Sequence, residues 1–497
     1  MSEEGGDVVR RERFSGGPAR GFLSSMDADE RLFEADLAVD RAHVVMLTEQ
    51  GIVDDESAST ILNALADVEA TGYAALDGED IHAAIETAVI ERTGNEGGRM
   101  HTARSRNDEV ATCIRYRLRE DLLDASETTL VLREALVEAA RAHAETTMPG
   151  YTHRQPAQPT TVGHFLSSYA QALGRDTDRL LEAYDRTNRS PLGAAAFAGT
   201  PFDIDRERTA DLLGFDAVLG NSMDAVSTRN FLVEAASALA TLSVTLSGLA
   251  TDLVEFATDE YVEIDDDYAS TSSIMPQKKN PDTLELVRAS AGTASAGLNG
   301  LLTTLKGLPR AYNRDLQEAT PHIWSAIDGV VPATEVAAGA VATASWNESE
   351  LAAAAGNGFA TATGVADLLA MHGVPFRTAH EIVASAAQCA ADRTSGETAS
   401  RAAEEGADYA AVEAAAQEVL DDSLSAYVEH EAVEAALDPD ASVASRDSVG
   451  GPAPSAVAAV LDEMEDGIED DQELLAERRE GLATAERALE AEVDEYA

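Results

Sequence analysis

Beginning at Leu232, apolar residues fall at Leu232, Ala235, Leu239, Leu242, Leu246, Leu249, Leu253 and Phe256, in alternating steps of three and four. Steps of that kind average about 3.5 residues, so the series lies along one stripe of an α-helix, the seam presented by helices packed nearly parallel or antiparallel. Leu284, Val287, Ala291, Ala294, Leu298, Leu301 and Leu305 repeat the pattern. A third stretch has no Gly or Pro between Glu109 and Met148 and carries Leu118, Leu122, Ala125, Leu132, Leu136 and Ala139 at helical spacing. No comparable set of β-branched, period-two segments occurs, so an all-α fold with a long central helical bundle is expected and a parallel sheet with a cofactor crevice is not. GNGFATATG at Gly356 to Gly364 has no preceding strand and no following lysine, and reads as a helix-breaking turn rather than a phosphate loop.

Breaks in the helical pattern fall around Gly94 to Arg106, Pro149 to Pro159, Ser190 to Phe202, Tyr261 to Pro281 and Leu308 to Pro321. After residue 358 the chain turns rich in Ala and Glu, and a loop near Ser442 precedes a final charged helix. A chain of 497 residues exceeds what one core usually supports. Three domains are expected: a helical amino-terminal domain at 1–112, the central bundle at 113–358 and a helical carboxy-terminal domain at 359–497.

The formal net charge is −54, from 90 acidic and 36 basic residues, which disfavours nucleic acid and anionic membranes as partners. Lys278, Lys279 and Lys306 are the only lysines; every other basic residue is arginine. Such self-repulsion is screened over about 3 Å at 1 M ionic strength, which points to a salt-saturated cytoplasm, the alternative being a merely acidic mesophilic protein. Cys113 and Cys389 lie far apart without metal-like spacing, in keeping with a reducing cytosol. The amino terminus lacks the apolar stretch of a secretory signal, and the charge-free run from Ala235 to Thr251 reads as too short and too rich in Ser and Thr to span a bilayer. A cytoplasmic location is expected.

Polar residues that make little sense as helix surface collect in the loops, where sites are commonly built. YASTSSIMPQKKNPDTLEL, Tyr268 to Leu286, holds two of the three lysines. Retaining them in a chain almost purged of lysine suggests a task for an ammonium group; the structural alternative is a surface loop neutralising nearby carboxylates. GGRMHTARSRNDEVAT, Gly97 to Thr112, gathers His101, Arg104, Ser105, Arg106 and Asn107, or else is a helix amino-terminus capped by Asn107 or Asp108. GYTHRQPAQPTTVGHF, Gly150 to Phe165, contains Thr152, His153, Gln155, Gln158 and His164, the last reading as structural. AYNRDLQEATPH, Ala311 to His322, adds Tyr312, Arg314, Asp315 and Gln317. Hydroxyls, amides and cations without metal-ligand spacing suit a dicarboxylate.

TSSIMPQKKNPD resembles the mobile-loop signature of the fumarase and aspartase superfamily, and HTARSRND, YTHRQPAQP and YNRDLQE look like its argininosuccinate lyase branch, in order along most of the chain. The resemblance implies a three-domain all-α subunit, a homotetramer with active sites shared between three subunits, and elimination of argininosuccinate to arginine and fumarate with no cofactor and no metal. It makes Ser272 the expected base, activated by nearby positive charge, and gives Lys278 and Asn280 the doubly negative aci-carboxylate to stabilise. His153, oriented by Glu285, would serve the leaving guanidino group, and the acid and base labels on His153 and Ser272 stay open. Ser25, Ser105, Arg106, Asn107, Thr152, Gln158, Gln277, Tyr312, Arg314 and Gln317 match positions that hold substrate, with Arg106 and Lys278 the natural carboxylate partners. Three positions depart from the family form: Thr271 and Ala103 stand where it has Gly, and Thr320 where YNRDLQEDK has a substrate-binding lysine. Adenylosuccinate lyase, fumarase or aspartase chemistry is the nearest rival, and a non-catalytic structural member of the fold the more distant one.

Overall fold

The computed structural model describes residues 18–393 and 407–497. Helices α1 (Phe33–Glu49), α2 (Asp55–Thr71) and α3 (Ile81–Thr93) pack on one another ahead of α4 (Arg106–Ala142). The strands β1 (Thr147–Thr152) and β2 (Gln155–Thr161) lead into α5 (Val162–Thr187) and α6 (Asn230–Thr258); β3 (Ser270–Thr271) and β4 (Lys279–Asn280) precede α7 (Asp282–Leu305) and α8 (Thr320–Thr343). The bundle closes on itself, since α4 packs on α5 and α8, α6 on α5 and α7, and α7 on α8. Every seam residue from Leu232 to Phe256 is buried, as the spacing requires. By length and composition alone α6 could cross a membrane, contrary to the reading of its charge-free run, but its apolar face is spent on α5, α7 and α8.

Beyond the bundle come α9 (Ala362–Met371), α10 (Phe376–Arg393), α11 (Tyr409–Leu420) and α12 (Pro454–Tyr496). Packing divides this stretch. A separate apolar cluster runs from Val365 to Val433, whereas Val457, Leu461, Ile468, Leu475 and Leu489 of α12 join the main core. Arginine pairs fasten α12 to α4 and α5: Arg133–Asp471 at 2.5 Å, Arg141–Asp462 at 2.8 Å and Arg478–Asp185 at 2.6 Å. Cys113 is free and buried, and the side chain of Cys389 lies outside the described residues.

One expected loop is a strand pair. Residues 147–161 form an antiparallel hairpin with Thr152 opposite Gln155, although Pro149, Pro156 and Pro159 make the sequence look irregular. In a two-stranded ribbon each strand is an edge, where a missing N–H costs no ladder bond if it faces outward.

Candidate active site

The helix α4 begins in the middle of the HTARSRND motif. Ser105, rather than Asn107 or Asp108, is its N-cap: Ser105 Oγ accepts the Asn107 N–H at 3.3 Å and Asp108 Oδ1 accepts the Ser105 N–H at 2.9 Å, a capping box. Ser and Asp three apart are the usual form of this device with Asp for Glu, which the competing Asn107 obscured. The other Asp108 oxygen accepts the N–H groups of Gly193 and Ala195, and burial pushes its pKa up to about 6. Ser105 therefore works as a cap, and its neighbours Arg106 and Asn107 project from the first turn.

Arg104, just before this turn, is fully buried between Asp40 at 2.5 Å and Glu109 at 3.1 Å. Beside it His82 pairs with Asp36 at 2.8 Å; burial opposes its charge, but Asp36 outweighs that and its pKa is pushed up to about 10. Asp36, His82 and Cys113 converge like metal ligands, as do Asp36, Asp40 and Glu109, yet Arg104 and protonated His82 already provide the positive charge there. Arg104→Met should leave two buried carboxylates uncompensated and cost about 3–5 kcal/mol of stability. Denaturant unfolding measures this, and a loss below about 1 kcal/mol would contradict the pairing.

Above this layer a cavity of about 220 Å³ collects six of the expected substrate-holding residues: Ser25, Arg106, Asn107, Tyr312, Arg314 and Gln317. Arg106 leans on Asp80 at 3.3 Å and Glu86 at 3.5 Å; Arg314 bonds Glu79 at 2.8 Å and the Leu23 carbonyl at 2.6 Å. Both guanidinium groups keep a buried Nε–H with no partner among the described residues. Ser25 Oγ donates to Asp29 at 2.6 Å, and burial raises the Asp29 pKa. Thr320 also lines the cavity, so its wall has a hydroxyl where the family form has an ammonium. Arg229, Asp80 and His82 line it as well and were missed from the sequence. The signal for Arg229 was a cation at the N-cap of α6, the end of a helix where positive charge is disfavoured.

The remaining expected residues lie elsewhere in the chain. His153 and Arg154 form the two-residue turn between β1 and β2, with φ of 56° and 60°, a conformation that costs a residue with a Cβ about 1–2 kcal/mol. His153 is exposed at this tip, and among the described residues no hydrogen bond joins it to Glu285. Thr152 and Gln158 line a second cleft of about 590 Å³, facing Phe359 and Arg446. His164 is structural, as expected: its ring nitrogens meet Thr160 Oγ1 at 2.8 Å and the Gly450 carbonyl at 3.0 Å.

Residues 272–278 are the loop of a second hairpin, whose stem pairs Ser270 with Asn280 and Thr271 with Lys279. Lys279 holds the stem to Asp266 at 2.7 Å and Glu263 at 3.3 Å. Ser272 Oγ accepts the N–H groups of Met275 at 3.1 Å and Ile274 at 3.3 Å. Gln277 and Lys278 are exposed in the loop, while Lys278, Asn280 and Glu285 line a third cleft of about 920 Å³. The two glycine departures now separate. Thr271 sits in a paired strand with no positive φ, whereas Ala103 has φ 65° and carries the strain that glycine would avoid.

A family model described as lyase matches residues 26–295, and one described as argininosuccinate lyase C-terminal matches residues 359–444. An argininosuccinate lyase of Natronomonas pharaonis is 67% identical over 496 residues, spanning 100% of this chain and 98% of its own length. That of Halobacterium salinarum is 64% identical over 497 residues, 100% of both chains. Among solved structures, EDDS lyase in complex with formate aligns with a TM-score of 0.86 at 35% identity, covering 99% of this chain and 97% of the other. With these matches running the length of the chain and the motif residues gathered at its clefts, the chain belongs to the argininosuccinate lyase family.

Proposed function

We propose that this chain splits argininosuccinate reversibly into arginine and fumarate, a step of arginine biosynthesis, in the cytoplasm of a salt-adapted cell. The observation that carries the reading from geometry is the small cavity in which Arg106 and Arg314 hold unpartnered N–H donors beside Asn107, Tyr312 and Gln317, in a chain otherwise dominated by acids. Such a site attracts an anion that the rest of the surface repels. Full-length identity of 67% to an argininosuccinate lyase selects which anion.

Chemistry belongs to the loop. A serine hydroxyl removes a carbon-bound proton only if its anionic form is stabilised, and two backbone N–H groups already point at Ser272 Oγ. Lys278 and Asn280 stabilise the aci-carboxylate formed as that proton leaves, and the C–N bond then breaks to give fumarate. His153, oriented by Glu285, serves the departing guanidino group, directly or through water. Ser25, Ser105, Arg106, Asn107, Thr152, Gln158, Gln277, Tyr312, Arg314 and Gln317 hold the substrate, and no cofactor takes part.

The cradle, the β1–β2 hairpin and the β3–β4 loop line three different cavities within one chain. That separation supports a homotetramer in which different subunits supply the three groups to each site. The ultraviolet absorbance of released fumarate tests the assignment. Turnover is expected with argininosuccinate and none with adenylosuccinate, malate or aspartate; activity on adenylosuccinate alone would overturn it.

A further inference from the structure

We infer that Arg229 binds the carboxylate of the substrate's arginine half, as the one cation in the cradle wall without a counter-charge among the described residues. The inference rests on argininosuccinate being the substrate.

Arg229 is 2% exposed. Its guanidinium donates only to backbone carbonyls, that of Thr228 at 2.9 Å and that of Val226 at 3.4 Å, and its buried Nε–H has no partner. No carboxylate stands within ion-pair distance of it among the described residues, whereas Arg104 has Asp40 and Glu109, Arg106 has Asp80 and Glu86, and Arg314 has Glu79. Burial pushes the Arg229 pKa down to about 10, so the group remains charged at neutral pH, with only the Tyr312 phenol favouring that charge.

Arg115 deepens the imbalance. It too is buried, donates to the carbonyls of Arg186 and Thr187 at 3.0 Å, and stacks on Phe231 at 3.8 Å. Burial, then the field of Arg229, pushes its pKa down to about 9. In a chain with 90 acidic residues, two neighbouring buried arginines without an ion-pair partner are a costly arrangement. An incoming carboxylate relieves that cost, and Arg229 lines the cavity that would admit it. Two helix amino-termini reinforce the field, with Arg229 at the N-cap of α6 and Arg106 in the first turn of α4.

The size and lining of the cavity indicate which carboxylate. About 220 Å³ holds one end of the substrate, and its lining sets the carboxyl groups of Asp29 and Asp80 beside the arginines, which suits an adjacent α-ammonium and α-carboxylate, a pair that argininosuccinate carries only in its arginine half. The end bound here is the one remote from the scissile bond, the α-carboxylate that leaves with arginine. Thr320 has replaced the expected lysine in the same wall, which leaves Arg229 more of the charge to supply.

The test compares arginine with agmatine, which is arginine without its carboxylate, as inhibitors of fumarate release. Arg229→Met should weaken arginine by roughly tenfold to a hundredfold and leave agmatine within about twofold. The KM for argininosuccinate should rise more than kcat falls. Removing an unpaired buried charge should not lower Tm, which separates loss of binding from loss of fold. If Arg229→Met does not fold, Arg229→Gln, which can still donate to the Thr228 carbonyl, carries the same comparison. Equal weakening of both inhibitors, or no change in either, overturns the inference. A wild-type protein that releases no fumarate from argininosuccinate and is insensitive to arginine would instead overturn the substrate assignment beneath it.

Discussion

Replacing Ser272 by Ala is expected to lower turnover of argininosuccinate by at least about a thousandfold while leaving the fold intact, the usual scale for losing a positioned base. The size of the loss follows from what surrounds the oxygen. Ser272 Oγ is the common acceptor of the Ile274 and Met275 N–H groups, so the loop folds around the atom where negative charge would develop. Alanine removes the proposed proton acceptor and leaves both donors aimed at nothing. Little stability should be lost with it. Ser272 is only half-buried, Ile274 is 83% exposed, and the hairpin stem is held independently by Lys279 and by the bond from Ser270 to Asp282. Circular dichroism, Tm and oligomeric state should therefore match the parent. Activity within tenfold of the parent would remove Ser272 as the base and leave His153 as the group to examine. Unchanged KM with the collapse confined to kcat would show that the loss lies in the chemical step rather than in substrate capture.

The bundle was legible because its physics is one-dimensional. Steps of three and four along Leu232 to Phe256 determine which face of α6 is buried, whatever the neighbours are. The strand pair at 147–161 was not legible, because three prolines masked an alternation that only the pairing of Thr152 with Gln155 reveals. Nor was the return of α12, since its sparse apolar residues and its arginine pairs with α4 and α5 depend on contacts hundreds of positions away. Of the site, the motifs marked the residues that carry recognisable spacing. Arg229 escaped because its significance is an absence: among the described residues it has no carboxylate beside it, a fact that exists only in three dimensions. Ser105 shows a second role that its motif did not announce, for the residue expected to touch substrate also accepts the Asn107 N–H as the N-cap of α4.

Stability should rise steeply with salt, with Tm increasing by at least about 10 °C between roughly 0.1 M and 2 M KCl. Two electrostatic effects compete, and their signs are opposite. Surface ion pairs such as Arg141–Asp462, Lys279–Asp266 and Arg479–Glu127 attract, and salt weakens them, but exposed pairs of this kind contribute little each. Repulsion acts among a net 54 negative charges, and salt relieves it. With 36 cations against 90 anions, most carboxylates have no partner to lose, so the repulsive side dominates. The Debye length falls from about 10 Å at 0.1 M to about 3 Å at 1 M, shorter than the spacing of most surface charges, so the largest gain should come within that interval. The buried Arg104, Asp40 and Glu109 cluster is shielded from ions and should hold at both extremes. Sucrose separates charge screening from general exclusion: it should raise Tm far less than KCl does, because it strengthens burial without screening. A Tm flat or falling with KCl would mean that the arginine pairs, not the unpaired acids, govern stability, and would remove the halophilic reading of the composition.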